Sequence, residues 1–145
     1  MPEIFLDSNV FLRFLVHDDQ GQAQEAEDVF IKASNKEIDL ITGPPVFFEV
    51  AWTLSTWAKW PNDRILNALS AMTGIPNLRL IDENLVIEAI LLAKENSQGF
   101  ADAYIAVTAK KRGAKVATFN SRHFAKLGVD MYAFKSGSVH ANQGE

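Results

Sequence analysis

Three carboxylates stand among apolar neighbours, where an ionised side chain is costly unless it has work to do. Asp7 ends the run Glu3-Ile4-Phe5-Leu6-Asp7, Glu49 lies in Val46-Phe47-Phe48-Glu49-Val50-Ala51-Trp52, and Asp102 lies in Gly99-Phe100-Ala101-Asp102-Ala103-Tyr104-Ile105-Ala106. Carboxylates brought together out of water repel one another, so a cluster needs a compensating charge. A divalent cation supplies it. Oxygen-only donors suit a hard ion such as Mg2+ or Mn2+, which keeps several waters and leaves room for a phosphate. Such an ion activates water and stabilises the charge that develops on a phosphodiester. The chain has no cysteine, and its three histidines form no pair at helical spacing, which argues against structural zinc.

Each acid also has an ordinary reading. Asp7 caps a helix by accepting backbone N–H groups, although Ser8 or Asn9 serves that purpose equally well. Glu49 is off the centre of the apolar stripe made by Val46, Val50, Leu54 and Trp57, and an isolated glutamate there is a surface residue. Asp102 falls in the first turn of its helix and complements the macrodipole, worth under about 1 kcal/mol when exposed. Ala103, Ala106 and Ala109 nevertheless make that helix slim enough to approach a sheet closely.

The elements that must position these acids follow from periodicity. Ile4 to Leu6 reads as a buried strand, followed by helices over 9–16 and 20–35, with His17-Asp18-Asp19 as the break. Ile38 to Ile41 is a short strand. Thr42-Gly43-Pro44-Pro45 then opens a helix to about Trp60, since proline is tolerated in a first turn. Further helices are expected over 63–73, 84–96 and 101–112, with strands at 78–81 and 114–119. Strands alternating with helices imply βαβ units, a mainly parallel sheet and right-handed crossovers. Asp7 then lies beyond the carboxyl end of the first strand, where open parallel sheets place ligands.

A chain of 145 residues with 48% hydrophobic content is the size of one domain with a sizeable core. The expected organisation is one domain over 1–135 and a flexible polar tail over 136–145. No apolar run reaches the roughly 20 residues of a membrane span, and no basic, apolar leader is visible. A cytoplasmic protein with no membrane contact is expected. Net charge is −4, yet residues 110–135 hold seven basic residues against Asp130 alone, a local excess of six. Lys110, Lys111, Arg122 and Lys126 in this stretch are candidate phosphate contacts.

Taken in order and spacing, Leu6-Asp7-Ser8-Asn9-Val10-Phe11-Leu12, Phe48-Glu49-Val50-Ala51 and Phe100 to Ala106 resemble the PIN-domain ribonucleases, most closely VapC-type toxins of toxin–antitoxin modules. The likeness runs from residue 3 to about 134. It implies a three-layer α/β/α sandwich with a mainly parallel central sheet of four to five strands. It also implies metal-dependent cleavage of single-stranded RNA that leaves 5′-phosphate and 3′-hydroxyl ends. The family's first three acids map onto Asp7, Glu49 and Asp102, and its polar companion onto Asn9. The chain departs from the pattern after the last strand. In Thr118-Phe119-Asn120-Ser121-Arg122-His123-Phe124 the positions that could carry the usual fourth acid are Asn120 and His123, leaving Asn120 as a neutral oxygen ligand or a holder of metal-bound water, and His123 as a phosphate contact or a packing residue.

Trp52, Trp57 and Trp60 all fall within nine residues. Trp57 is expected in the core, whereas Trp52 and Phe48 form an apolar surface that asks for cover. An antitoxin helix or a second protomer suits it better than RNA bases, because aromatics dominate protein interfaces. Resemblance to VapC toxins likewise implies a homodimer and a cognate antitoxin. Two rivals stand against the nuclease. An aspartyl phosphotransferase of the haloacid-dehalogenase kind needs a second Asp two residues after the first, where this chain has Asn9. A non-catalytic PIN-like module that binds RNA or protein through a degraded metal site is the stronger rival.

Overall fold

Residues 2–135 are described by the computed structural model; the expected tail over 136–145 lies outside the described residues. The chain divides into two compact units, residues 1–83 and 84–145.

In the first unit, β1 (Glu3–Phe5), β2 (Asp39–Thr42) and β3 (Leu78–Leu80) form a parallel sheet in the order β1-β2-β3. Ile4 stands opposite Leu40, and Leu40 opposite Leu78. Helices α1 (Ser8–Val16) and α2 (Gln20–Ser34) connect β1 to β2, and α3 (Pro44–Thr56) and α4 (Asn62–Thr73) connect β2 to β3. The expected α/β class, with a parallel sheet and flanking helices, is therefore the one formed.

Local chemistry explains where these helices start and stop. His17 adopts a left-handed conformation (φ 58°) that closes α1, its N–H reaching the Arg13 carbonyl at 3.2 Å. The Asp19 side chain accepts from the Gln22 N–H at 3.0 Å and so caps α2. Phe30 of α2 meets Phe14 edge-on at 5.0 Å and Phe11 at 5.9 Å, fixing α2 against α1. Pro44 and Pro45 occupy the first turn of α3, where a missing N–H costs nothing. From that helix Val46, Phe47, Val50 and Leu54 enter the core, and α4 adds Ile65, Leu66, Leu69 and Met72.

The second unit contains most of α5 (Glu83–Asn96), then α6 (Phe100–Lys111) and α7 (Ser121–Ala125). Val86, Ala89, Ile90 and Ala93 are buried on α5, and Phe100, Ala103, Ala106 and Val107 on α6. Gly113 (φ 64°) ends α6 with a paired return: its N–H reaches the Lys110 carbonyl at 3.2 Å, and the Ala114 N–H reaches Ala109 at 2.9 Å. Only a residue without a side chain takes that turn freely.

Four expectations need correction. The described residues contain three strands rather than four to five. The segment 114–119 forms a single parallel bridge, Val116 with Met131. The reason is local: the Thr118 hydroxyl accepts the Asn120 N–H at 2.9 Å, turning the chain before a ladder can extend. β1 was expected to be buried, yet Glu3, Ile4 and Phe5 are all exposed and only Leu6 is enclosed, in keeping with its edge position in the three-stranded order. The third helix stops at Thr56, short of Trp60. Lys59 turns left-handed (φ 61°), and Pro61 disfavours a helical Trp60 before it. Trp57, expected in the core, is instead 65% exposed, because it caps the fraying end of α3. The helix α7 is too short for its period to have been read.

Phe47 is fully enclosed, whereas Trp52, five residues on, is 66% exposed. Phe47→Ala should cost about 3–5 kcal/mol, and Trp52→Ala about 0.5 kcal/mol or less. Urea unfolding followed by circular dichroism measures both; similar losses for the two would contradict this division of core and surface.

Candidate active site

The end of β1 is fixed from both sides of the backbone. The Leu6 N–H donates to the Ile41 carbonyl at 2.9 Å, and the buried Thr42 hydroxyl donates to the Leu6 carbonyl at 3.1 Å. Asp7 therefore emerges at a defined point, as the N-cap residue of α1 with extended backbone (φ −79°, ψ 161°). Its side chain makes no capping hydrogen bond. It is exposed and has no hydrogen-bond or ion-pair partner among the described residues. The capping role that would have explained this residue without chemistry is thus not the one it performs.

Ser8, fully buried, donates its hydroxyl to Glu49 Oε1 at 2.7 Å. That bond links the start of α1 to α3 and brings Glu49 to the residue next to Asp7. Glu49 is exposed overall, so this oxygen is held while the rest of the carboxylate stays hydrated. Asn9 is exposed and lines, with Arg13, Asp18, Glu49, Thr53 and Trp57, a cavity of about 280 Å³. Arg13 is committed within it, its Nη1 lying 3.4 Å from Asp18. The expected roles of Asp7, Asn9 and Glu49 thus fall on one neighbourhood. Ser8 was weighed only as a cap, and its sequence position beside an acid was the available signal.

In the second unit, Asp102 lies in the first turn of α6 and is partly buried. His123 Nδ1 is 3.3 Å from Asp102 Oδ2 and 3.0 Å from Asn120 Nδ2. One ring nitrogen holds either a proton or a lone pair, so it donates to Asp102 or accepts from Asn120, not both. In sequence Asn120 and His123 read as replacements for an acid; nothing local shows that His123 Nδ1 stands within reach of both Asp102 and Asn120. Asn120 Oδ1 is buried without a hydrogen-bond partner among the described residues. An acceptor in that position costs about 1–3 kcal/mol unless a donor or cation reaches it.

Carboxylates plus an orphaned amide oxygen are the donor chemistry of a hard divalent ion. The side chains are not, however, gathered into a finished cage: among the described residues no three His, Asp or Glu form a group able to hold a metal. Of the expected phosphate contacts, Lys111 pairs with Glu88 at 2.8 Å and Lys110 Nζ donates to the Leu127 carbonyl at 2.6 Å. Arg122 and Lys126 are exposed.

A carboxylate beyond the end of a parallel strand, joined by a second from the next crossover, defines an α/β protein of the kind that binds ligands at its strand ends. The family model described as PIN domain matches residues 4–129, and the chain belongs to the PIN domain family. No curated protein matches it. PIN domains are generally metal-dependent nucleases, and the family relation points to RNA as ligand. No helix among the described residues is long and apolar enough to cross a membrane.

The unequal roles of Asp7 and Ser8 are measurable without any substrate. Ser8→Ala should lower stability by about 1 kcal/mol, the charge-assisted bond being discounted because Glu49 can rehydrate. Asp7→Asn should leave the unfolding midpoint within about 0.5 kcal/mol of wild type. A clear loss in Asp7→Asn would show that the carboxylate serves the fold after all.

Proposed function

We propose that this protein is a metal-dependent endoribonuclease that cuts single-stranded RNA and acts as the toxin of a toxin–antitoxin pair. The observation that carries the reading is Asp7: an exposed, unpartnered carboxylate fixed at the β1–α1 junction, with Glu49 drawn to its neighbour by Ser8. Asp7, Glu49 and Asp102 would hold the ion, Mg2+ or Mn2+, with Asn120 Oδ1 as a neutral oxygen. When bound, the ion supplies a lowered pKa for water and neutralises charge on the phosphodiester. Asn9 orients a carboxylate or an attacking water. Basic residues of 110–135, Lys126 and Arg122 among them, steer the strand by charge, while Lys110 and Lys111 reach phosphate only by leaving their present partners.

Its apolar surface at Trp52, Trp57 and the half-buried Phe48 supports an antitoxin or a second protomer as partner. The proposed organisation is a single PIN-like domain over 1–135 working in the cytoplasm. A second reading, a PIN-like module that binds RNA or protein without cutting it, is favoured by one observation. His123 stands against Asp102 where the family usually has a fourth acid, so that part of the site holds a ring nitrogen in place of a negative charge.

The two readings part on a cleavage assay with a 5′-labelled single-stranded RNA. Cleavage should require Mg2+ or Mn2+, stop in EDTA, and fall at least about 100-fold in Asp7→Asn and Asp102→Asn with the fold intact. Equal cutting by wild type, both variants and EDTA-treated protein would indicate a contaminant and sink the enzyme.

The missing fourth acid has its own consequence. One fewer negative charge weakens ion binding, so activity should climb with Mg2+ into the millimolar range and rise further with Mn2+. Asn120→Asp should shift the half-saturating metal concentration downward. A flat metal titration would count against the assigned role of Asn120.

A further inference from the structure

Phe119, Tyr132 and Phe134 form a cluster at the surface of the second unit. Phe119 and Phe134 stack at 4.5 Å with planes 21° apart, and Tyr132 meets Phe134 edge-on at 5.1 Å and 84°. Phe119 and Tyr132 are each 54% exposed. The Val116–Met131 bridge and the Tyr132 N–H on the Val116 carbonyl at 2.8 Å hold the two contributing segments side by side. The backbone is thus tied at Val116 and Met131, close in sequence to all three rings.

Two features of the stretch that carries these rings bear on what covers them. The first is charge. In 110–135 the basic residues outnumber the acidic by seven to one, and Lys110 and Lys111 are occupied internally. Arg112, Lys115, Lys126 and Lys135 are exposed and enter no ion pair among the described residues. Lys135 directly follows Phe134, and Lys115 directly precedes the bridged Val116. An apolar protein face gains nothing from this excess of cations, whereas a polyanion carrying flat apolar faces gains from both. The second is position. Phe119 directly precedes Asn120, which contacts His123, which contacts Asp102.

We infer that Phe119, Phe134 and Tyr132 are a stacking platform that seats one base of a single-stranded RNA, holding the strand against the Asn120 end of the candidate site. This deepens the ribonuclease reading and rests on RNA being the ligand, but it does not require cleavage. Stacking uses the π-face that every base has, so the platform grips without choosing sequence strongly.

The test uses the full chain in EDTA, where no cutting interferes, and fluorescence anisotropy with a labelled single-stranded oligoribonucleotide. Tyr132→Ala and Phe119→Leu should each weaken binding about tenfold, Tyr132→Trp should retain it, and the slope of affinity against salt should be unchanged in Tyr132→Ala. An oligomer of abasic riboses tests the same idea on wild-type protein alone, so a poorly folding variant does not stall it. That oligomer should bind weakly to wild type, and Tyr132→Ala should bind it no worse. Equal affinity for the abasic and base-bearing strands would overturn the platform. So would Tyr132→Ala dissociating a dimer in sedimentation with unchanged RNA affinity, which assigns the rings to self-association. If wild type binds as expected but cuts nothing with Mn2+, only the nuclease reading fails; if Tyr132→Ala cuts with unchanged KM, only the platform does.

Discussion

The hydrogen bond from buried Ser8 to Glu49 is the constraint on which the first half of the candidate site depends. A serine hydroxyl enclosed in protein must find an acceptor, and its nearest charged one lies on a helix forty-one residues away in the chain. Satisfying it fixes the start of α1 against α3 and delivers a carboxylate to the β1–α1 junction. Thr42, also fully buried, meets the same need by donating to the Leu6 carbonyl. Two buried hydroxyls thus set the backbone on which Asp7 is mounted. The Asp7 carboxylate itself has no partner among the described residues and is free to meet a ligand.

The placement of helices was legible because amphipathic periodicity and end signals agreed. Asp19 capping α2, Pro44 opening α3 and Gly113 closing α6 each act through a local rule that sequence displays directly. Less legible was anything decided by a neighbour. The segment Ala114 to Phe119 has the composition of a strand, but a Thr118 hydroxyl turned onto Asn120 stops the ladder after one bridge. Trp57 fits the apolar stripe of its helix and still ends in solvent, because the helix unwinds at that residue. Periodicity assumes the helix continues; a proline four residues on decides that it does not.

Within the site the same boundary holds. Asp7, Glu49 and Asp102 stood out in the sequence as acids among apolar neighbours, and Asn9 only through the family resemblance. Their neighbours were not, since a hydrogen bond between Ser8 and Glu49, or the approach of His123 to Asp102, spans positions that no local pattern relates. The family relation supplies the chemistry expected of such acids, while the side-chain contacts say how this chain differs within it.

That difference is chiefly one of charge. A fourth carboxylate beside Asp102 would add to the repulsion that a cation must relieve, raising the drive to bind one. His123 acts in the opposite sense. Its Nδ1 lies 3.3 Å from Asp102 Oδ2, and as a donor to that oxygen it would compete with an ion for it. Asn120 would give back part of what is lost, because its buried oxygen has no donor among the described residues. The balance falls on how much a single neutral oxygen can offset the missing charge. Since an ion–dipole contact is weaker than an ion–carboxylate contact, an ion held in the proposed way would be held loosely and would draw on a substrate phosphate to complete its shell. Under the proposed reading a substrate phosphate would be part of what holds the ion, which would make a firm grip on the neighbouring nucleotide more valuable here than in a chain with a fourth acid at that position.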